Sequence, residues 1–105
     1  MIDLALVKSH LRVDGADEDA LIKAYTDAAI SAFEAWTNRK LVAEDQPLPE
    51  PVENALHLSK SIKQGALLLI GNWYANRESV VIGTITSEVP LATRALWMPH
   101  KWARL

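Results

Sequence analysis

Between Leu21 and Trp36 the apolar residues Leu21, Ile22, Tyr25, Ala28, Ala29, Ala32, Phe33 and Trp36 recur in steps of three and one. That rhythm puts them on one face of an α-helix. The stripe is rich in alanine, so a neighbouring helix can approach closely. Asp17, Glu18 and Asp19 stand just before it, where negative charge opposes the positive end of the helix dipole. Thr37-Asn38-Arg39 ends the pattern, with Asn38 placed to adopt a left-handed cap in place of glycine.

Two further helices follow from the same reasoning. Asp3 can cap a short first helix carrying Leu4, Val7 and Leu11, with Gly15 expected to supply the permissive turn after it. Ile62, Ala66, Leu67, Leu69, Ile70, Trp73 and Tyr74 predict a central, most buried helix from about Ser61 to Arg77. Ser59 and Ser61 are both candidate caps, and Ser61-x-x-Gln64 has capping-box spacing. A start at Pro51 remains an alternative. Gly65 and Gly71 weaken that helix and make sense if another backbone packs close to them.

Residues 41–58 contain Pro47, Pro49 and Pro51, and alternate prolines predict an extended connector. Residues 79–89 include the β-branched run Val80-Val81-Ile82-Gly83-Thr84-Ile85-Thr86, a strand or hairpin arm. Too little strand sequence is present for a sheet within one chain, so this arm is expected to fold on itself or pair with another subunit. Pro90 opens a short helix with Leu91, Ala95 and Leu96 on one side, and Pro99 stops it. A basic, aromatic and mobile tail over 99–105 closes the chain. The expected fold is therefore all-α, or mainly α. It is a bundle of about four helices in a single domain, 1–105, with a short extended or hairpin segment near 79–89. The expected core is Leu21, Ile22, Tyr25, Phe33, Trp36, Leu67, Ile70, Trp73, Tyr74 and Leu96, with Trp97 also assigned inward.

Chemistry is scarce. There is no cysteine, which removes disulfides, thiol catalysis and Cys-ligated metals. His10, His57 and His100 have no second ligand at metal-helix spacing. No nucleophile elbow, phosphate loop or dinucleotide fingerprint occurs. Asp14, Asp17, Glu18 and Asp19 fail as a calcium loop, because Ala16 falls at position 3 and Asp19 at position 6. A helix-turn-helix would present Glu18 and Asp19 to phosphates, which repel them. No catalytic residue, cofactor or metal is expected. No signal peptide or membrane span is expected either, since the longest apolar stretch, 66–70, is far short of the roughly 20 residues a bilayer needs.

Charge is unevenly spread. Residues 1–50 hold ten acids and five bases, a net of −5, whereas residues 51–105 hold three acids and six bases, a net of +3. An overall −2 excludes a protein built mainly to grip a nucleic-acid backbone. Unlike halves instead suit a head-to-tail contact between copies. Asp17, Glu18 and Asp19, with Arg77, Glu78, Val80, Ile82 and Ile85, are the candidate subunit-contact residues. Trp102, with Lys101 and Arg104, is the candidate anchor for a larger partner.

The order of short segments is informative as well. His10-Leu11-Arg12-Val13-Asp14 precedes Asp17-Glu18-Asp19-Ala20-Leu21-Ile22. Thr37-Asn38-Arg39, Ile62-Lys63-Gln64, Leu67-Leu68-Leu69-Ile70, Trp73-Tyr74-Ala75-Asn76-Arg77-Glu78 and Val89-Pro90-Leu91 follow, with Leu96 after them. Over almost the whole chain this resembles the small head–tail connector (adaptor, head-completion or "DNA-packaging") proteins of long-tailed double-stranded-DNA bacteriophages. Asn38 departs from the Thr-Gly-Arg common there. The resemblance implies a non-enzymatic subunit of a dodecameric ring at the head–tail junction of the virion, assembled in the host bacterial cytoplasm. The ring docks on the portal protein and receives the tail or a stopper or terminator protein. Double-stranded DNA passes through it without sequence recognition, and no membrane is involved. The competing reading is a small non-enzymatic phage- or prophage-derived regulatory protein, monomeric or dimeric.

Overall fold

A computed structural model describes residues 2–48, 54–76 and 90–102. The hairpin expected near 79–89, with Arg77, Glu78, Val80, Ile82 and Ile85, lies outside the described residues, as does Arg104. Four α-helices dominate: α1 (Leu4–Leu11), α2 (Asp19–Thr37), α3 (Lys60–Ala75) and α4 (Leu91–Trp97). Two short strands, β1 (Lys40–Val42) and β2 (Ala55–His57), lie between α2 and α3, and a 3₁₀ turn, Met98–His100, follows α4. The fold is mainly α.

Local chemistry sets the helix ends. The Asp3 carboxylate accepts from the Ala5 N–H at 3.4 Å and starts α1. Arg12 then adopts the left-handed conformation (φ 60°), while the Val13 N–H reaches the Lys8 carbonyl at 2.9 Å. The turn thus falls on Arg12 and not on Gly15, which has no positive φ. The closing bond fixes the break at the helix end, three residues before the glycine. Asn38 ends α2 in the left-handed region (φ 58°), as its small polar side chain allows. Ser59 caps α3, its Oγ accepting from the Ile62 N–H at 3.4 Å. Helix α3 therefore starts at Lys60, earlier than Ser61, and no capping box forms on Ser61. That hydroxyl turns instead to His100 Nε2 at 3.0 Å.

One expectation is overturned. β1 and β2 form a parallel pair within the chain, with Lys40 opposite Ala55, Leu41 opposite Leu56 and Val42 opposite His57. In sequence the three prolines fall between the two strands and not within them, which leaves the ladder donors intact. The Leu58 N–H to Val42 carbonyl bond (2.8 Å) and the Lys40 N–H to Asn54 carbonyl bond (3.2 Å) extend the pairing.

Helix α3 is the centre of the core. Its Ile62, Ala66, Leu67, Leu69, Ile70 and Trp73 are buried, and Val7, Ile22, Tyr25, Ala29 and Phe33 pack around them from α1 and α2. Leu21, Trp36, Tyr74 and Leu96 are half-buried at its margin. Trp97 is fully buried, with its ring edge-on to Phe33 at 5.2 Å and tilted against Trp36 at 6.4 Å. It also donates from Nε1 to the Ile62 carbonyl at 3.1 Å, and Thr93 Oγ1 donates to the Gly65 carbonyl at 2.9 Å. These two bonds clasp α4 onto α3. The atoms nearest both helix-three glycines belong to side chains: Gly65 lies under the Trp97 indole and Gly71 beside His10.

Candidate functional site

The described residues hold no group of three His, Asp or Glu side chains close enough to share a metal ion. Nor is any described helix long and apolar enough to cross a membrane. An open depression of about 390 Å³ is lined by Ile2, Asp3, Leu4, Lys23, Thr26 and Asp27. Its charged lining residues, Asp3, Lys23 and Asp27, are of both signs. The features that stand out are the two ends of α2.

The first end is acidic. Asp14 and Asp17 are exposed in the loop before α2. Their neighbours are engaged within the subunit: Glu18 Oε1 accepts from the Tyr74 hydroxyl at 2.6 Å, and Asp19 meets Lys8 Nζ at 2.8 Å. Both bonds cross between elements, so the loop is braced on α3 and α1. Of the three acids expected at a subunit contact, Asp17 alone points to solvent.

The second end is basic and aromatic. Arg39 Nε donates to the His100 carbonyl at 2.8 Å, and its guanidinium lies 4.7 Å from the centre of the Trp102 ring. Lys101 Nζ lies 4.7 Å from the centre of the Trp36 ring. The Trp102 N–H donates to the Thr37 carbonyl at 2.7 Å. That carbonyl sits in the last turn of α2, where helical acceptors lack partners. Residues 100–102, expected in a mobile tail, are therefore held against α2 and α3. Burial first, and the Arg39 charge second, lower the His100 pKa below its ordinary value of 6.5. The neutral ring suits its contact with Ser61 Oγ.

A third surface is uncharged. Every exposed residue between Leu91 and Pro99 is apolar: Leu91, Ala92, Ala95, Met98 and Pro99. Leu91 is 81% exposed and Met98 57%. Contiguous exposed apolar side chains of this kind mark contact surfaces.

Arg39, Lys40, Thr93 and His100 were not singled out as site residues by sequence. The signal for Arg39 is its place directly after a left-handed cap, which turns the next side chain off the helix axis. For Thr93 it is the four-residue spacing to Trp97, one turn on the same face. Nothing in the sequence links Arg39 to Trp102, because that contact spans most of the chain.

Residues 1–99 match the family of phage gp6-like head-tail connector proteins. The chain belongs to that family. Neither the curated proteins nor the solved structures contain a significant match. The family is a structural one, of the head–tail junction of phage virions. In this connector Asp14 and Asp17 before α2, Lys40 and Lys101 beyond its end, and Leu91 and Met98 on the outer face of α4 are exposed.

Proposed function

We propose that this connector assembles as a ring on the portal vertex, joins the capsid to the tail, and lets double-stranded DNA pass without sequence recognition. The family match across residues 1–99 carries the reading. The subunit's geometry supports it. A ring needs two unlike, complementary surfaces on each copy, and the acidic and basic ends of α2 are unlike. Contact with portal or tail needs a further surface, and the apolar outer face of α4 is available for it.

The DNA-facing wall of the ring is proposed to be acidic or neutral. A basic wall would hold phosphates by releasing counterions and impede passage. No cofactor and no catalysis are invoked. Trp102 and Lys101 have a revised part in this reading. Their contacts with α2 put them at one end of the subunit.

The test is direct. Purified protein is added to DNA-filled, portal-bearing capsids lacking their tails, and the vertex is imaged by electron cryomicroscopy. Ring density beneath the portal is expected. Capsids that bind no protein at saturating concentration would refute the connector ring. A regulatory monomer or dimer would give that null result.

A further inference from the structure

We propose that the basic–aromatic end of α2 in one copy seats the acidic loop, Asp14 and Asp17, of the next copy, and that this contact repeats head to tail. The inference rests on the ring reading and names the residues that would close the ring.

Among the described residues, no ion pair engages the cations of the basic end. The ion pairs among the described residues are Lys8–Asp19 and Lys63–Glu44. Neither involves Arg39, Lys40 or Lys101. Of the acids nearest in sequence, Glu44 pairs with Lys63 at 3.2 Å, and Glu34 uses Oε2 to accept the Leu41 N–H at 2.8 Å. Lys40 and Lys101 are exposed and Arg39 is half-buried.

The two indoles prepare this end to bind. Trp102 and Trp36 each lie 4.7 Å from a cation, and an aromatic face both attracts and orients it. The Arg39 Nε bond to the His100 carbonyl fixes the guanidinium further and leaves its terminal nitrogens as a planar fork. Such a fork matches a carboxylate in two-point geometry. The apolar ring faces also displace water, which strengthens an ion pair formed there.

The acidic loop is the complement. Asp14 and Asp17 are exposed and have no ion-pair partner among the described residues. The Lys8–Asp19 and Tyr74–Glu18 bonds brace the loop that presents them. The two ends cannot meet within one chain, because the 19 residues of α2 hold them about 27 Å apart at ~1.5 Å per residue. Two copies can meet. A contact using one end of each copy leaves the other end free for a third, which gives a ring when the rotation between copies closes.

The absence of cysteine makes the test clean. The double variant Asp17→Cys with Lys101→Cys is treated with a short thiol crosslinker, in concentrated solution and on portal-bearing capsids. A ladder of products running past the dimer is expected, and neither single variant should give one. No product, or a product that stops at the dimer, overturns the head-to-tail contact. Charge reversal gives an independent readout. Lys40→Glu with Lys101→Glu, or Asp14→Lys with Asp17→Lys, should each weaken assembly about tenfold or more, since like charges then face each other. Combining all four should restore it. Reversed variants that assemble like the parent, or weakening without rescue, overturn the pairing while ring assembly by the parent stands. A parent that assembles neither in solution nor on capsids defeats both.

Discussion

Replacing Gly65 with alanine isolates the contact that fixes α4. An exposed helical Gly→Ala change usually stabilises by about 1 kcal/mol through propensity. Here the added Cβ would lie 2.4 Å from Trp97 Nε1 and 2.7 Å from Cδ1, where ordinary contact begins at 3.4 Å. The indole must therefore retreat by about 1 Å to reach tolerable packing. It has nowhere to go, since Trp97 is fully buried with Phe33 and Trp36 packed against it. Retreat also stretches the 3.1 Å bond to the Ile62 carbonyl. Overpacking of this kind costs about 1–3 kcal/mol and a lost hydrogen bond about 1 kcal/mol more. Set against the propensity gain of about 1 kcal/mol, the net loss is about 2 kcal/mol. For a domain of this size that lowers Tm by roughly 8–16 °C. Urea titration followed by tryptophan fluorescence, with a thermal melt by circular dichroism, measures it. Gly71→Ala is the internal control. Its Cβ would meet only the tip of the exposed His10 ring, at 3.3 Å, which can swing aside. That variant should be unchanged or more stable by up to about 1 kcal/mol. A Gly65→Ala protein as stable as the parent would refute the seating of Trp97 on α3.

Three further outcomes follow from the geometry. Ser59→Ala removes the side-chain acceptor at the start of α3 and should cost about 1 kcal/mol in urea denaturation, whereas Ser61→Ala should leave that cap intact. Asn38→Val should destabilise by about 1–2 kcal/mol, since a β-branched residue resists φ 58°, while Asn38→Gly should be close to neutral in a thermal melt. The folded-state pKa of His100 is lowered, so the unfolded chain binds more protons as pH falls below 6.5. Its contribution to stability is thus fully present above that pH and declines below it, and His100→Gln should flatten the slope of urea midpoint against pH.

Much of the fold was legible in short stretches of sequence. The three-and-one rhythm of 21–36 and the apolar run of 62–74 each describe a helix and its buried face. Asn38 marked a left-handed end because few other residues accept that backbone. The candidate site was less legible. Asp17, Glu18 and Asp19 read as three equivalent acids, yet Tyr74 and Lys8 engage two of them and leave Asp17 outward. Lys101 and Trp102 read as a free tail, yet the Thr37 carbonyl at the end of α2 holds Trp102, and Arg39 covers its ring.

The amino-acid sequence alone determined where helices form, which faces they bury and which charges cluster. Those properties depend on neighbours a few residues apart, where side-chain period and backbone preference act directly. Tertiary structure alone decided three things: the pairing of 40–42 with 55–57, the seating of Trp97 in the space left by Gly65, and the stacking of Arg39 on Trp102. Each joins residues that are distant in the chain. Which distant partners meet depends on shape and on the carbonyls and donors left unmatched once the helices pack, and no local pattern encodes that choice.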